Sequence, residues 1–208
     1  MNAAPPGTDG RFSLGRKLQL AFLVKDMDAA LELWTEKLNV APFVVFEHAL
    51  GSRHFIHRGE RSPVDLSLAL SYVGETQIEL ICPRNDAPSI YSEALQHGIE
   101  SARAHHIAFW PDDLASAWRE LTCKGFEEVA SIRSPAGEVD VYYLSSPASL
   151  GLMVEIVPMN SARRIYFSKI KALCEQPAID RKVLRFRDKD EFLSSIANPA
   201  VESDKTQS

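Results

Sequence analysis

The sequence lacks features that mark three large classes of protein. No apolar run approaches the ~18 residues of a membrane-spanning helix, so we expect no membrane association. Only three cysteines are present, Cys82, Cys123 and Cys174, with no Cys-x-x-Cys pair, which argues against a disulfide framework and a thiolate metal site. The 23 Lys and Arg residues are outnumbered by 28 Asp and Glu, giving a net charge of −5. This balance argues against a nucleic-acid partner, which usually requires a basic face.

The composition is otherwise that of a globular protein. Hydrophobic residues make up 45% and charged residues 25% of the 208 residues, a usual balance for a folded domain. This length fits one large domain or two small ones. Residues 1–10 are polar and lack the basic and apolar regions of a secretory signal. Together with the few, scattered cysteines, this predicts a cytoplasmic protein.

The chain contains an internal repeat. Segment 19–26 (QLAFLVKD) is similar to segment 106–113 (HIAFWPDD). Each predicts a strand that ends in an acidic turn, followed by a helix whose apolar residues recur at helical spacing. Asp26 and Asp113 lie where an N-cap would satisfy free backbone N–H groups. The repeat therefore predicts two similar modules.

Strand-like segments follow both predicted helices, so that each module is predicted to be β-α-β-β-β. They are residues 43–46, 54–58, 66–73 and 77–82 in the first module, and 127–132, 139–144 and 151–157 in the second. A short helix is predicted at 89–96 in the joining segment, and two more beyond Pro158, near Ser161 and Asp190.

These patterns predict the following organisation. A flexible N-terminus covers residues 1–16, and the two-module domain covers 17–158, with modules at 17–82 and 104–158 and a linker at 83–103. A helical extension follows at 159–197, and a disordered tail covers 198–208.

Four polar residues lie in strands where apolar residues would be expected. Gln19 and His106 open the matching strands of the two modules, and Glu79 and Glu155 lie between aliphatic neighbours in later strands. A buried carboxylate is unfavourable unless it is paired or binds a metal. Because the repeat relates Gln19 to His106 and Glu79 to Glu155, all four could converge if the modules pack with their sheets facing. Two carboxylates, an imidazole and an amide oxygen would suit a divalent ion.

Four motifs together resemble the vicinal oxygen chelate superfamily, which includes glyoxalase I, methylmalonyl-CoA epimerase, extradiol dioxygenases and bleomycin resistance proteins. The motifs are 19–26 (QLAFLVKD), 78–83 (IELICP), 105–109 (HHIAF) and 152–156 (LMVEI), and the resemblance covers about residues 18–158. It implies an α+β fold in which paired βαβββ modules form a curved mixed sheet around a metal site. The C-terminal helical extension lies outside the resemblance.

The resemblance also implies which residues hold the metal. One ligand comes from each of four strand positions, occupied here by Gln19, Glu79, His106 and Glu155. This set looks like that of glyoxalase I, whereas the surrounding sequence looks more like methylmalonyl-CoA epimerase, which usually has His where this chain has Gln19. We expect one divalent ion, with zinc, nickel, cobalt or manganese favoured over iron. His106 is preferred to His105, which is expected to point to the opposite face of its strand.

The implied function is that of a divalent-metal-dependent lyase or isomerase of the glyoxalase or epimerase type. Such an enzyme transfers a proton next to a metal-bound carbonyl, and a nearby carboxylate moves that proton. Glu155 is the first candidate base and Glu79 the second. The expected substrate is a small carbonyl compound or a thioester, and the expected assembly is a homodimer.

Two other functions remain open. One is a metal-free small-molecule binding or resistance protein of the same fold. The other is an extradiol-type dioxygenase, which Gln19 disfavours because these enzymes have His at that position. Candidate substrate contacts outside the ligand set are His54, His57, Arg58, Tyr72 and Tyr142.

Overall fold

The structure, a computed structural model, describes residues 14–15, 18–40, 42–96, 98, 102–147, 150–176 and 182–197. The predicted disordered tail and most of the predicted flexible N-terminus lie outside these residues. Within the described ranges, no helix is long and apolar enough to cross a membrane.

Eleven strands and five α-helices are formed by the described residues. The strands are β1 (Leu18–Val24), β2 (Phe43–Phe46), β3 (His54–His57), β4 (Glu60–Ser62), β5 (Leu66–Val73), β6 (Thr76–Pro83), β7 (Ala102–Phe109), β8 (Glu127–Arg133), β9 (Val139–Ser145), β10 (Met153–Ile156) and β11 (Val183–Phe186). The helices are α1 (Met27–Glu32), which continues as a π-helical turn at Leu33–Lys37, then α2 (Ile90–Gln96), α3 (Leu114–Cys123), α4 (Ser161–Cys174) and α5 (Lys189–Ala197).

All eleven strands form one curved mixed sheet, in the order β11-β2-β5-β6-β1-β7-β10-β9-β8-β3-β4. The repeat is visible in this order, because β2-β5-β6-β1 in the first half corresponds to β8-β9-β10-β7 in the second. The two halves are joined by antiparallel pairing of β1 with β7. The predicted α+β fold with a curved mixed sheet is thereby confirmed.

The two predicted helix N-caps are also confirmed. Asp26 accepts hydrogen bonds from the backbone N–H groups of Asp28 and Ala29 at 2.9 and 3.0 Å. Asp113 accepts one from the backbone N–H of Ser116 at 3.0 Å. These bonds fix where each helix leaves the strand that precedes it.

The third strand does not follow the simple repeat. Residues 54–58 were counted with the first module, but β3 pairs antiparallel with β8 of the second, with Phe55 opposite Ile132. The ring of Phe55 explains this placement, because it is buried 5.8 Å from the ring of Tyr91 and 6.3 Å from that of Tyr143. The β3–β4 hairpin thus belongs to the first module in sequence but pairs with a strand of the second module.

The C-terminal extension is predicted to be helical, but the structure shows that it also contains a strand. After α4, strand β11 pairs in parallel with β2 and becomes the edge of the sheet. Its four residues were too few to give a strand pattern in the sequence. Helix α5 then returns Phe192 to a fully buried position among the rings of Phe46, Tyr166 and Phe186.

Candidate metal centre

The four predicted ligands lie on four adjacent strands in the middle of the sheet, β6-β1-β7-β10. Ala21 is paired with Glu79 on one side and with His106 on the other. Ala108 is paired in the same way with Gln19 and Glu155. Directly paired residues of neighbouring strands project from the same face, so all four polar side chains share one face. The small alanines leave space between them.

Three of these side chains meet in a buried cluster. The Nε2 atom of His106 lies 3.1 Å from Glu155 Oε2 and 3.4 Å from Glu79 Oε2. One ligand atom from each of the three residues lies within 4.8 Å of the other two. The His106 side chain is inaccessible to solvent, and the two carboxylate side chains are 9% or less exposed.

The electrostatics of the cluster indicate a place for a cation. Burial disfavours the His106 imidazolium, but attraction by Glu155 and Glu79 outweighs it and raises the pKa of His106 to about 9. Burial raises the pKa of Glu79, and repulsion by Glu155 adds to this effect, whereas His106 opposes it. Buried carboxylates this close together require a positive charge between them.

The donor atoms fit a divalent ion. Although it is buried, Nε2 of His106 forms no well-directed hydrogen bond within the described part of the chain. One imidazole nitrogen and two carboxylate oxygens, held by separate strands, are a usual donor set for zinc or a similar ion.

Gln19 lines the same cavity as Glu79 and Glu155. Its side-chain amide is held in place by a chain of two hydrogen bonds. Its Nε2 donates to Gln77 Oε1 at 2.7 Å, and Gln77 Nε2 donates to the Tyr72 hydroxyl at 2.8 Å. These bonds leave Oε1 as the Gln19 atom available to an ion. Tyr72, a candidate substrate contact, thus accepts a hydrogen bond from the residue that holds the candidate ligand Gln19.

His105 corrects one prediction. It was expected on the face of the strand opposite His106, yet the two Nδ1 atoms are 3.0 Å apart. The reason is an irregularity in the pairing of β1 and β7, which skips His105 and turns its ring beside that of His106. Burial, followed by repulsion from His106, lowers the pKa of His105 to about 3. Neutral His105 can therefore accept a hydrogen bond from His106 Nδ1 and orient that ring.

Helix α4 covers the open side of the cavity and contacts both modules. Tyr166 packs against Phe46 with ring centroids 5.6 Å apart, and Phe167 stacks on Trp110 at 5.1 Å. The cavity beneath the helix has a volume of about 90 Å³ and remains partly open to solvent. The charged residues and tyrosines that line it but were not predicted as site residues are Arg53, Tyr143, Arg163, Tyr166 and Lys189.

Strand alternation could have identified Tyr143, because it shares a face with Val141, which also lines the cavity, whereas Tyr142 points the other way. The sequence carried no signal for Arg163, Tyr166 and Lys189. Their position depends on how the extension packs, which the repeat does not specify.

The other candidate substrate contacts lie elsewhere. His57 Nε2 is 3.3 Å from Glu93, which also pairs with exposed Arg58. His54 lines an outer cleft, and Tyr142 packs against Trp118 at 5.8 Å. Among the described residues, the cavity wall includes none of His54, His57, Arg58, Tyr72 or Tyr142.

The chain belongs to the glyoxalase/bleomycin resistance protein/dioxygenase superfamily, whose family model matches residues 18–143. This assignment agrees with the vicinal oxygen chelate resemblance of the motifs. No curated protein matches the sequence.

Solved structures share the fold at low identity. Methylmalonyl-CoA epimerase from Mycobacterium tuberculosis is 18% identical, with a TM-score of 0.51 over 74% of this chain and 95% of its own. A variant of the Streptomyces coelicolor epimerase in complex with 2-nitronate-propionyl-CoA is 20% identical, with a TM-score of 0.50 over 72% and 97%. A hypothetical protein from Bacillus halodurans is 18% identical, with a TM-score of 0.50 over 69% and 93%. At these identities the likeness establishes the fold alone.

Proposed function

We propose that the protein is a divalent-metal-dependent lyase or isomerase of the glyoxalase or epimerase type. In this proposal it transfers a proton at the carbon next to a carbonyl group of a small substrate. The observation that carries the proposal is the buried cluster of Glu79, His106 and Glu155, which combines residues of both modules and whose two carboxylates line the cavity. Membership of the superfamily supports the same class of chemistry.

The ligands in this proposal are Gln19, Glu79, His106 and Glu155. A divalent ion bound there supplies electrophilic stabilisation of the negative charge that develops on a carbonyl oxygen. The nitrogen and oxygen donors favour zinc, nickel, cobalt or manganese. The three cysteines lie outside the cluster, so no thiolate contributes.

Glu155 is the first candidate for the catalytic base and Glu79 the second. Each carboxylate has two oxygens, so one can hold the ion while the other accepts a proton. The two residues come from β10 and β6, which lie on opposite sides of the central strand pair β1–β7. A substrate carbon between them could lose a proton to one carboxylate and receive a proton from the other, as an epimerisation or a 1,2-proton shift requires.

The cavity has a volume of about 90 Å³, which limits the size of the group that can enter it. Of the two expected substrate classes, this volume favours a small carbonyl compound. A large thioester would have to extend outside the space covered by α4.

Metal content and proton transfer test the proposal together. Protein purified without chelator should contain about one zinc, nickel, cobalt or manganese ion per chain. The metal-loaded protein should accelerate deuterium exchange into hydroxyacetone in D₂O, followed by NMR. In Glu155→Gln the exchange should fall by about 10²–10⁴-fold, the usual contribution of a general base.

A matched control is Glu127→Gln, which changes an exposed carboxylate on β8 and should leave the exchange rate unchanged. Full exchange activity in Glu155→Gln would remove the base assignment. Failure to bind any divalent ion would overturn the enzyme proposal in favour of a metal-free binding protein, and stoichiometric Fe(II) would favour a dioxygenase.

A further inference from the structure

The wall of the cavity opposite the candidate ligands is basic. It includes Arg53 from the loop before β3, Arg163 from α4 and Lys189 from the first turn of α5. Two of these three cations belong to the C-terminal extension. The extension therefore supplies charge to the cavity as well as a cover.

The two arginines are held in place and share one carboxylate. Arg53 donates to the carbonyl oxygens of Ala49 and Leu50 at 2.7 and 3.1 Å, and its Nη1 lies 3.5 Å from Asp140. Arg163, whose side chain is 11% exposed, donates to the carbonyl oxygen of Pro158 at 2.8 Å and also lies 3.5 Å from Asp140. These bonds fix both guanidinium groups against the cavity.

Lys189 adds a third positive charge. Its Nζ lies 5.0 Å above the ring of Tyr166, and it forms no ion pair with the residues that the structure describes. Burial, with repulsion from Arg53 and Arg163, lowers the pKa of Lys189. The ammonium group is thus held near two other cations without a carboxylate of its own.

The charges at this wall do not balance without a ligand. Arg53, Arg163 and Lys189 lie near two carboxylates, Asp140 and the exposed Asp190, and a divalent ion would neutralise Glu79 and Glu155. The nearby Asp188 already accepts a hydrogen bond from the backbone of Glu191 and pairs with Arg187. A partly buried ammonium group without an ion pair is unfavourable, so Lys189 and the two arginines beside it are suited to an anionic group that enters from outside.

We infer that the substrate carries a carboxylate or phosphate group, and that Arg53, Arg163 and Lys189 bind this group while the carbonyl faces the metal ligands. The second half of this inference rests on the proposed function, whereas the anion site itself does not. Arginine and lysine are the usual partners of both groups.

The cavity adjoins an outer cleft. Ala49, Arg53 and Lys189 line both, and the cleft is also lined by Asp140, Asp188 and Asp190. The two basic side chains therefore lie between the cleft and the cavity.

Binding of three small probes tests the inference. Pyruvate, acetylphosphonate and pyruvamide share a carbonyl group. The group next to it is a carboxylate in pyruvate, a phosphonate in acetylphosphonate and a neutral amide in pyruvamide. Isothermal titration calorimetry of the metal-loaded protein should show at least tenfold tighter binding of one or both anions than of pyruvamide. The order of pyruvate and acetylphosphonate distinguishes a carboxylate substrate from a phosphate-like one.

Lys189→Met should weaken binding of the preferred anion at least tenfold and leave pyruvamide binding unchanged. The control, Lys182→Met, changes an exposed lysine of the extension that pairs with Glu36 and should have no effect. Arg163→Gln is the second test, with its thermal unfolding measured because Arg163 also binds the backbone. Equal affinity for pyruvate, acetylphosphonate and pyruvamide, or unchanged anion affinity in both variants, would overturn the inference.

A parallel titration after chelation separates the two proposals. Loss of anion discrimination with metal binding intact overturns the anion site alone. Absence of metal binding, with anion affinity that still depends on Lys189, overturns the metal-dependent function and retains the anion site.

Discussion

The candidate ligands lie on two rows across the sheet, and an alanine occupies the middle of each row. Ala21 separates Glu79 from His106, and Ala108 separates Gln19 from Glu155. A larger side chain at either alanine would occupy the space between ligands. The geometry of the centre therefore depends on these two small residues as well as on the four polar ones.

Gln77 should act as a positioning residue for Gln19. Gln77→Leu removes the acceptor at 2.7 Å that holds the Gln19 amide, so Gln19 would rotate and its oxygen would no longer be fixed. Loss of such a supporting partner typically weakens metal affinity by about 10–100-fold. Competition with a chromogenic chelator measures this change, and Thr76→Ser on the same strand is the control. Unchanged affinity in Gln77→Leu would contradict the assignment of Gln19.

Metal binding should release protons. Because the pKa of His106 is raised to about 9 in the metal-free protein, its imidazole is protonated at pH 7.5 and must lose that proton to bind an ion. Metal affinity should therefore rise with pH up to about 9 and fall as the pH decreases. Calorimetry in PIPES and Tris buffers, which differ in ionisation enthalpy, measures the proton count. Identical enthalpies in the two buffers, with affinity constant from pH 6 to 8, would contradict it.

The sequence was sufficient to single out the four candidate ligands, because each is a polar residue in an apolar strand and the repeat relates them in pairs. It was insufficient for Arg53, Arg163 and Lys189. Charged residues in loops and on amphipathic helices usually face solvent, so nothing local distinguishes these three. Only the packing of α4 and α5 across the open side of the sheet brings Arg163 and Lys189 to the site.

At the scale of elements, the extension is an integral part of the fold. Strand β11 extends the sheet, and Lys182 and Arg185 form ion pairs with Glu36, Glu47 and Asp28 of the first module. These contacts account for part of the basic character of the extension.

Phe192 should be the main hydrophobic anchor of α5. It is fully buried among Phe46, Tyr166 and Phe186, so Phe192→Ala should lower the free energy of unfolding by about 3–5 kcal/mol. Urea denaturation followed by circular dichroism measures the change. Leu193→Ala, at a half-buried neighbour, is the control and should have a smaller effect. A loss below about 1 kcal/mol in Phe192→Ala would show that α5 is not anchored by this ring.

Element type was predicted better than element pairing. Helices α1 and α3 follow from their apolar periodicity and their predicted caps, and β1 and β7 from the repeat. The pairing of β3 with β8 could not be predicted, because alternation in a four-residue strand does not specify its neighbour. Tertiary packing of Phe55 decides that pairing.

For the whole molecule, the account predicts one site made by both modules and covered by the extension. Gln19 and Glu79 come from the first module, His106 and Glu155 from the second, and Arg163 from α4. Such a site forms only when all three parts are folded together. A ligand that binds it should stabilise the whole chain, by about 2.7 kcal/mol at a concentration 100 times its Kd.

The most direct test of the central claim is anomalous diffraction from crystals of the protein grown with zinc, nickel or cobalt. The account predicts a single strong anomalous peak per chain, bounded by the side chains of Gln19, Glu79, His106 and Glu155. A peak elsewhere, or none between these four residues at saturating metal, would contradict it.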